Sequence, residues 1–226
     1  MAHAVVTGAG RGIGRAVALA FAERGLDVTL AGRTEAPLVA VAAEVEARGR
    51  RARVVPCDVA DAPSVAALSA SVLGAWGPPA VVVNNAGIVV RATVEETTDA
   101  EWDAVIGVNQ RGPFLVTRAF LPAMRGAGAG RFVAVASISA TLGTPRLSAY
   151  CASKWGVVGF TKALAEELRG TGLAALAVLP GSVDIPMLEG SGFAPAMQPE
   201  DVARLVLYAG LDAPLAMNGS ALEMFG

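Results

Sequence analysis

Histidine is almost missing from this sequence: one residue, His3, stands near the start of 226. That position leaves no candidate for a histidine base and no histidine-rich metal site, so no metal is expected. Cysteine is nearly as scarce. The pair Cys57 and Cys151 makes no disulfide framework in an α/β chain of this length, and both read as small packing residues. Net charge is low as well. A formal charge of -2, with no block of one sign and no basic arm, offers nucleic acid no electrostatic footprint. Long apolar runs are also absent. Although 54% of the residues are hydrophobic, Gly, Pro or charge interrupts each run, as after Leu173 to Pro180, before it could cross a bilayer. No basic leader precedes the apolar run at Ala4, so a cytoplasmic protein with no membrane association is expected.

What is present is alternation. Short aliphatic runs expected as strands lie near Ala4 to Val6, Asp27 to Ala31, Ala52 to Val55, Ala80 to Val83, Arg131 to Ala136, Ala174 to Val178 and Ser220 to Met224. Segments of helical spacing fill the gaps, roughly Gly12 to Arg24, Glu35 to Arg48, Ala62 to Trp76, Asp99 to Met124, Ala149 to Gly170 and Pro199 to Gly210. Such βαβ alternation predicts one α/β domain over 1–226, a doubly wound fold with a seven-stranded parallel sheet flanked by helices. Right-handed crossovers then place ligands beyond the carboxyl ends of the strands.

The first such end carries T-G-A-G-R-G-I-G, Thr7 to Gly14. There Gly8 can make the sharp turn, Gly12 leaves room for a dinucleotide to approach the backbone, and Gly14 permits close helix–strand packing. The helix start offers free N–H groups to a pyrophosphate. The second strand ends L-A-G-R-T, with Gly32 where an NAD-type site keeps a carboxylate for the ribose. Arg33 follows, and Arg11 lies inside the glycine loop. Two guanidinium groups converging on a 2′-phosphate favour NADP(H) over NAD(H), although either arginine alone would read as solvated. Asp58, after the third strand, is a candidate acceptor for the adenine amino group. Its neighbour Val59, Ile13 in the loop, and Asn85, Ala86 and Gly87 of N-N-A-G complete the expected lining of the cofactor site.

Y-C-A-S-K puts Tyr150 and Lys154 four residues apart, hence on one helix face. A phenol ionises near ~10, so work at neutral pH needs a drop of roughly three units, about 4 kcal/mol. One ammonium at ~4 to 5 Å supplies about 3 to 4 kcal/mol at an effective dielectric near ~20. The pair is therefore sufficient for proton transfer without histidine, and both residues are expected against the cofactor as well. Ser137, ahead of the tyrosine, can donate to a substrate oxygen as charge develops; Ser139 is its rival. Asn109 lies where an amide could hold a water against Lys154.

Taken in order, T-G-x-x-x-G-I-G, D-V, N-N-A-G, V-N-Q-R-G, V-A-S-I-S, Y-C-A-S-K and L-P-G-S-V span essentially the whole chain and resemble the classical short-chain dehydrogenase/reductase family. The resemblance implies a Rossmann-like sheet, a catalytic tetrad of Asn109, Ser137, Tyr150 and Lys154, and a homodimer or homotetramer. It implies further that Pro180 and Gly181 begin a turn binding the nicotinamide amide, with Val183 contributing backbone bonds. Two departures stand out. Ile185 replaces the threonine usual at its position, removing a hydroxyl from the cofactor's nicotinamide end. Only a short substrate loop, near 188–197, precedes the next helix, which implies an open pocket.

Ser139, Leu142 and Thr144 are expected to line that pocket. The substrate class implied is a small carbonyl or alcohol, with reduction of a 3-oxoacyl thioester on acyl-carrier protein as the specific alternative. Two rivals come from other classes: a dinucleotide-binding sensor with little turnover, and an oligomeric scaffold. A sensor has no need of Tyr150 and Lys154 together, and a scaffold leaves the glycine loop unexplained.

Overall fold

The structure, a computed structural model, describes residues 2–226. Seven strands form one sheet: β1 His3–Thr7, β2 Asp27–Gly32, β3 Ala52–Pro56, β4 Val81–Asn84, β5 Gly130–Val135, β6 Leu173–Pro180 and β7 Ala221–Met224. All six pairings are parallel, in the order β3-β2-β1-β4-β5-β6-β7. The winding direction reverses between β1 and β4, and a crevice opens there beyond the strand ends.

The sheet is covered on both faces, and the strands are accordingly apolar at nearly every position. Ala4 and Val6, Val81 and Val83, and Val133 and Val135 face α1 (Gly12–Glu23), α2 (Glu35–Glu46) and α7 (Pro199–Leu207). Their neighbours Val5, Val82 and Phe132 turn the other way, onto α3 (Ala62–Trp76), α5 (Gly112–Ala127) and α6 (Ser148–Glu167). This alternation is the period-two geometry of a strand. No helix among the described residues is long and apolar enough to cross a membrane, and no group of three possible metal ligands occurs among them.

The continuous helix expected from Asp99 to Met124 is not what forms. An eight-residue α4, Asp99–Ile106, begins in a Thr98 capping box and gives way to a wide π turn over Gly107–Arg111 before α5. Pro113 explains the break: it has no N–H to close the α-type bond to the Asn109 carbonyl, and Gly112 instead donates five residues back to Gly107. The wide turn carries Asn109 inward, where it is 1% exposed. A second π turn, Tyr208–Asp212, ends the last helical segment in the same manner.

At the opposite end of the sheet, His3 is buried edge-on to Trp76 at 5.4 Å. Its Nε2 lies 3.1 Å from the Gly77 carbonyl and must therefore carry the proton, which leaves Nδ1 buried with no hydrogen-bond partner among the described residues. Burial pushes the imidazole pKa below its ordinary value, the Gly77 carbonyl and Asp27 opposing in part. Because the folded pKa is depressed, the unfolded chain binds the extra proton first, so stability present above pH ~6.5 is lost as pH falls below it. Between pH 7 and 5 the urea midpoint of the wild type should fall more steeply than that of His3→Phe. Equal slopes would remove the histidine from the account.

Candidate active site

At the carboxyl end of the sheet the loops after β1 and β4 are tied together by Thr7. Its hydroxyl donates to the Val83 carbonyl (3.2 Å) and accepts from the backbone N–H groups of Asn85 (3.0 Å) and Ala86 (3.1 Å). The Asn85 amide returns the tie, donating to the Thr7 and Gly8 carbonyls at 2.9 and 3.2 Å. Gly8, at φ +66°, fits against Ala86 Cα, where a Cβ would stand only 2.9 Å away. A methyl at Gly14 would be driven into the Gly8 carbonyl, so helix α1 meets the loop only as glycine allows.

These features leave a backbone-lined cradle at the start of α1, which suits a dinucleotide pyrophosphate. Gly12, at φ +52°, has only the Ile185 side chain near its missing Cβ, at 3.1 Å. Arg11 and Arg33 are exposed and, among the described residues, enter no ion pair, whereas Arg15 beside them is committed to Glu44. Asp58 is half-buried and accepts the Ala60 N–H at 2.9 Å. Val59 turns its side chain into the core against Gly112, leaving only its backbone for the crevice. Pro180 ends β6 and Gly181 donates to the Met224 carbonyl at 2.8 Å, while buried Val183 pairs with Met197 and so fixes the base of the short loop. Ile13 lies between these segments, half-buried at the start of α1.

Tyr150 and Lys154 share a face of α6. The Lys154 ammonium lies 5.5 Å from the centre of the phenol ring and donates to the Val135 carbonyl at 2.8 Å. Lys154 is 5% exposed and no carboxylate faces it, so burial lowers its pKa from the ordinary lysine range to about 8. Tyr150 moves the other way. Burial raises the phenol, and the Ser137 hydroxyl, its hydrogen-bond partner, offsets that in part. The depression expected from Lys154 alone is thus not found: the ammonium is turned to a carbonyl, and lost hydration outweighs its field.

Ser137 follows β5 in extended backbone, and its Oγ accepts the Ser139 N–H at 3.1 Å. Ser139 is buried one step further on and does not meet the phenol. Asn109 accepts the Ile88 N–H at 2.8 Å and donates its two amide hydrogens to the Ile88 carbonyl (2.9 Å) and Ser153 Oγ (3.1 Å). Both amide hydrogens are thus taken and brace the N-N-A-G loop against α6, while Oδ1, which accepts one N–H, keeps a second lone pair on the side of Lys154. Gly87 fits into the gap between Asn109 Oδ1 and Lys154 Nζ. Leu142 is exposed and Thr144 half-buried on the loop before α6, on the open side of the crevice. Beyond β6 a single 3-10 turn, Pro186–Leu188, and an open groove of about 360 Å³ lined by Ile185, Leu188, Phe193 and Pro195 form the short loop region.

Three residues of this site carried no signal by themselves in the sequence. Thr7 and Ser153 lie inside quoted motifs, yet only the fold shows that Thr7 joins two loops and that fully buried Ser153 links the Tyr150 carbonyl (2.7 Å) to Asn109. The third, Arg91, stands outside every motif and donates from the loop after β4 to the Met187 carbonyl at 2.6 Å, in the turn beyond β6.

A family model described as short chain dehydrogenase matches residues 2–193. A 3-oxoacyl-[acyl-carrier-protein] reductase of Synechocystis sp. is 36% identical, over 99% of this chain and 95% of that protein. A 3beta-hydroxysteroid dehydrogenase of Mediterraneibacter gnavus is 40% identical over 83% of this chain and 68% of its own length. Among solved structures, a short-chain type dehydrogenase/reductase from Mycobacterium marinum superposes with a TM-score of 0.95 at 31% identity, covering 100% of this chain and 94% of that one.

Lysine burial has a measurable consequence. At pH 7 both folded and unfolded chains hold the Lys154 proton, and the fold bears the full cost of a buried ammonium. Between pH 8 and 10.5 the folded chain sheds the proton first, so that cost fades as pH rises. Lys154→Met should therefore be the more stable protein at pH 7, by about 2 kcal/mol after allowing for the lost bond to Val135. Urea unfolding should show the gap closing toward pH 10; a variant less stable at pH 7 would contradict the cost.

Proposed function

The chain belongs to the short-chain dehydrogenase/reductase family, and on that premise we propose that it transfers hydride between NADP(H) and a carbonyl or secondary-alcohol substrate, with Tyr150 as the proton carrier. The observation that carries this reading is the meeting of Tyr150, Ser137 and Lys154 beside the cradle between β1 and β4. Nicotinamide bound there supplies or accepts the hydride.

The remaining work falls to the chain's own groups. Gly8, Gly12, Gly14 and Ile13 accommodate the pyrophosphate at the start of α1, and exposed Arg11 and Arg33, which enter no ion pair among the described residues, take the 2′-phosphate. Asp58 and Val59 flank the adenine, while Asn85, Ala86, Gly87, Pro180, Gly181 and Val183 hold the nicotinamide end. In reduction the Tyr150 O–H is donated to the substrate oxygen, and the Ser137 hydroxyl donates a hydrogen bond to the same atom as negative charge develops. The Lys154 ammonium stabilises the phenolate left behind. Asn109 acts through Ile88 and Ser153, holding the walls of the site in register.

For the specific activity we favour a 3-oxoacyl thioester, in line with the name of the Synechocystis relative. An open, short-looped pocket lined by Ser139, Leu142 and Thr144 admits such an extended substrate. Exposed Phe114 on α5 and Trp155 on α6 support a homodimer or homotetramer, and a cytoplasmic location is consistent with the rest.

Tyr150→Phe should bind NADPH within about threefold of wild type and lose turnover by about 10²- to 10⁴-fold; near-normal rates across a panel of ketones and 3-oxoacyl thioesters would remove the proton carrier. Arg33→Ala should weaken NADPH binding by about tenfold or more and leave NADH affinity unchanged. An unaltered NADPH to NADH ratio in fluorescence titration would refute the assignment of the 2′-phosphate.

A further inference from the structure

The turn beyond β6 has few ties to the rest of the molecule. Its base is fixed where Ala196 and Met197 donate to the Ser182 carbonyl, at 2.9 and 3.2 Å, and Asp184 donates to the Met197 carbonyl at 3.0 Å. Among the described residues, a single hydrogen bond links 185–195 to a distant part of the chain: the Arg91 guanidinium donates to the Met187 carbonyl. No ion pair helps, because Asp184 and Glu189 are exposed and enter none among the described residues. A second tie is apolar. Ile185, half-buried against the large core cluster, rests on Gly12: a Cβ at that glycine would lie 3.1 Å from Ile185 Cγ2 and 3.6 Å from Ile185 Cβ.

That contact joins two compartments. Gly12 is part of the backbone cradle at the start of α1, while Ile185 also lines the open groove of about 360 Å³, with Leu188 and Phe193. The glycine sits at φ +52°, where other residues are strained, and any side chain there would press the turn away. The seat of Ile185 on the cradle thus needs glycine at one end and a branched β-carbon at the other.

We propose that Ile185 is a positioning residue that couples the cofactor cradle to the substrate groove: through its seat on Gly12, a dinucleotide held at the start of α1 fixes the 186–193 wall of the groove. The inference rests on the dinucleotide reading of the cradle. A turn with two outside ties opens at small cost. A ligand taken up beside Gly12 confines the Ile185 side chain against the core and raises that cost, and by linkage whatever fills the groove then favours the filled cradle by the same factor. The contacting atoms, Cγ2 and Cβ, are both kept in valine; alanine loses the first.

Hydrogen exchange of the full chain, with and without saturating NADPH, reads the coupling. In wild type NADPH should slow exchange at residues 12–15 and, by about fivefold or more, at the Leu188, Glu189 and Ser191 amides, which are hydrogen-bonded within the turn. Ile185→Ala should keep the slowing at 12–15 and lose it in the turn, whereas Ile185→Val should match wild type. A merely structural side chain predicts something else: in Ile185→Ala the turn exchanges faster with and without NADPH alike, and the ratio between the two states stays at the wild-type value. That result overturns the proposal. So does a wild-type turn that NADPH leaves unprotected, a result that requires no variant to fold. Loss of the slowing at 12–15 in Ile185→Ala alone makes the residue a simple binding contact and overturns it equally. Failure of the dinucleotide reading is distinct, because then neither NADPH nor NADH slows exchange at 12–15 in wild type.

Discussion

A single ammonium, buried with one carbonyl for company, is the constraint around which this molecule is arranged. Lys154 faces no carboxylate, and its bond to Val135 ties α6 to the end of β5. A fold under selection for stability alone would replace such a group with an apolar one. Here it holds a positive charge 5.5 Å from the centre of a phenol ring, at the carboxyl end of β5. The local cost becomes intelligible as part of a site whose chemistry creates negative charge.

Much of the surrounding structure keeps that charge and phenol in place. Thr7 and Asn85 lock the β1 and β4 loops to each other, so the glycine cradle and the N-N-A-G wall move as one body. The π turn then delivers Asn109 to Ile88 and Ser153, and Ser153 to the Tyr150 carbonyl. Each link is a satisfied polar contact, part-buried or buried, which gives a narrow set of geometries where apolar packing would allow several. On the solvent side the 185–195 segment is held by local backbone turns, Leu188 to Ile185, Glu189 to Pro186 and Ser191 to Leu188.

The sheet and helix order was legible in the amino-acid sequence because strands buried on both faces are almost uninterrupted Val, Ala and Leu, and because Gly, Asp or Pro punctuates each junction. Helix α3 runs from Ala62 to Trp76 as its spacing predicts, with Asp61 capping Ser64. The break at Gly107–Arg111 was not legible: Gly107, Asn109 and Arg111 are tolerated in a helix, and Pro113 is equally at home in the first turn of a new one. Motif order could assemble Tyr150, Lys154 and Ser137. It could not supply their acidities, which depend on how much water the finished fold excludes, and so the phenol shifts upward where spacing alone implied a fall. Arg91 was invisible for a related reason: its guanidinium reaches the Met187 carbonyl and its own carbonyl faces the Arg146 guanidinium, both far away in the chain, and each contact has a backbone acceptor with no sequence signature.

The state of the Lys154 ammonium can be observed directly, because Lys154 and Lys162 are the chain's two lysines and Lys162 is exposed. In protein labelled at lysine 13Cε, the chemical shift of one resonance should titrate with a midpoint near 8 and be missing from the spectrum of Lys154→Met. A Lys154 resonance titrating near ~10.4 would mean that this ammonium is fully hydrated, and that the buried charge at the centre of this account does not exist.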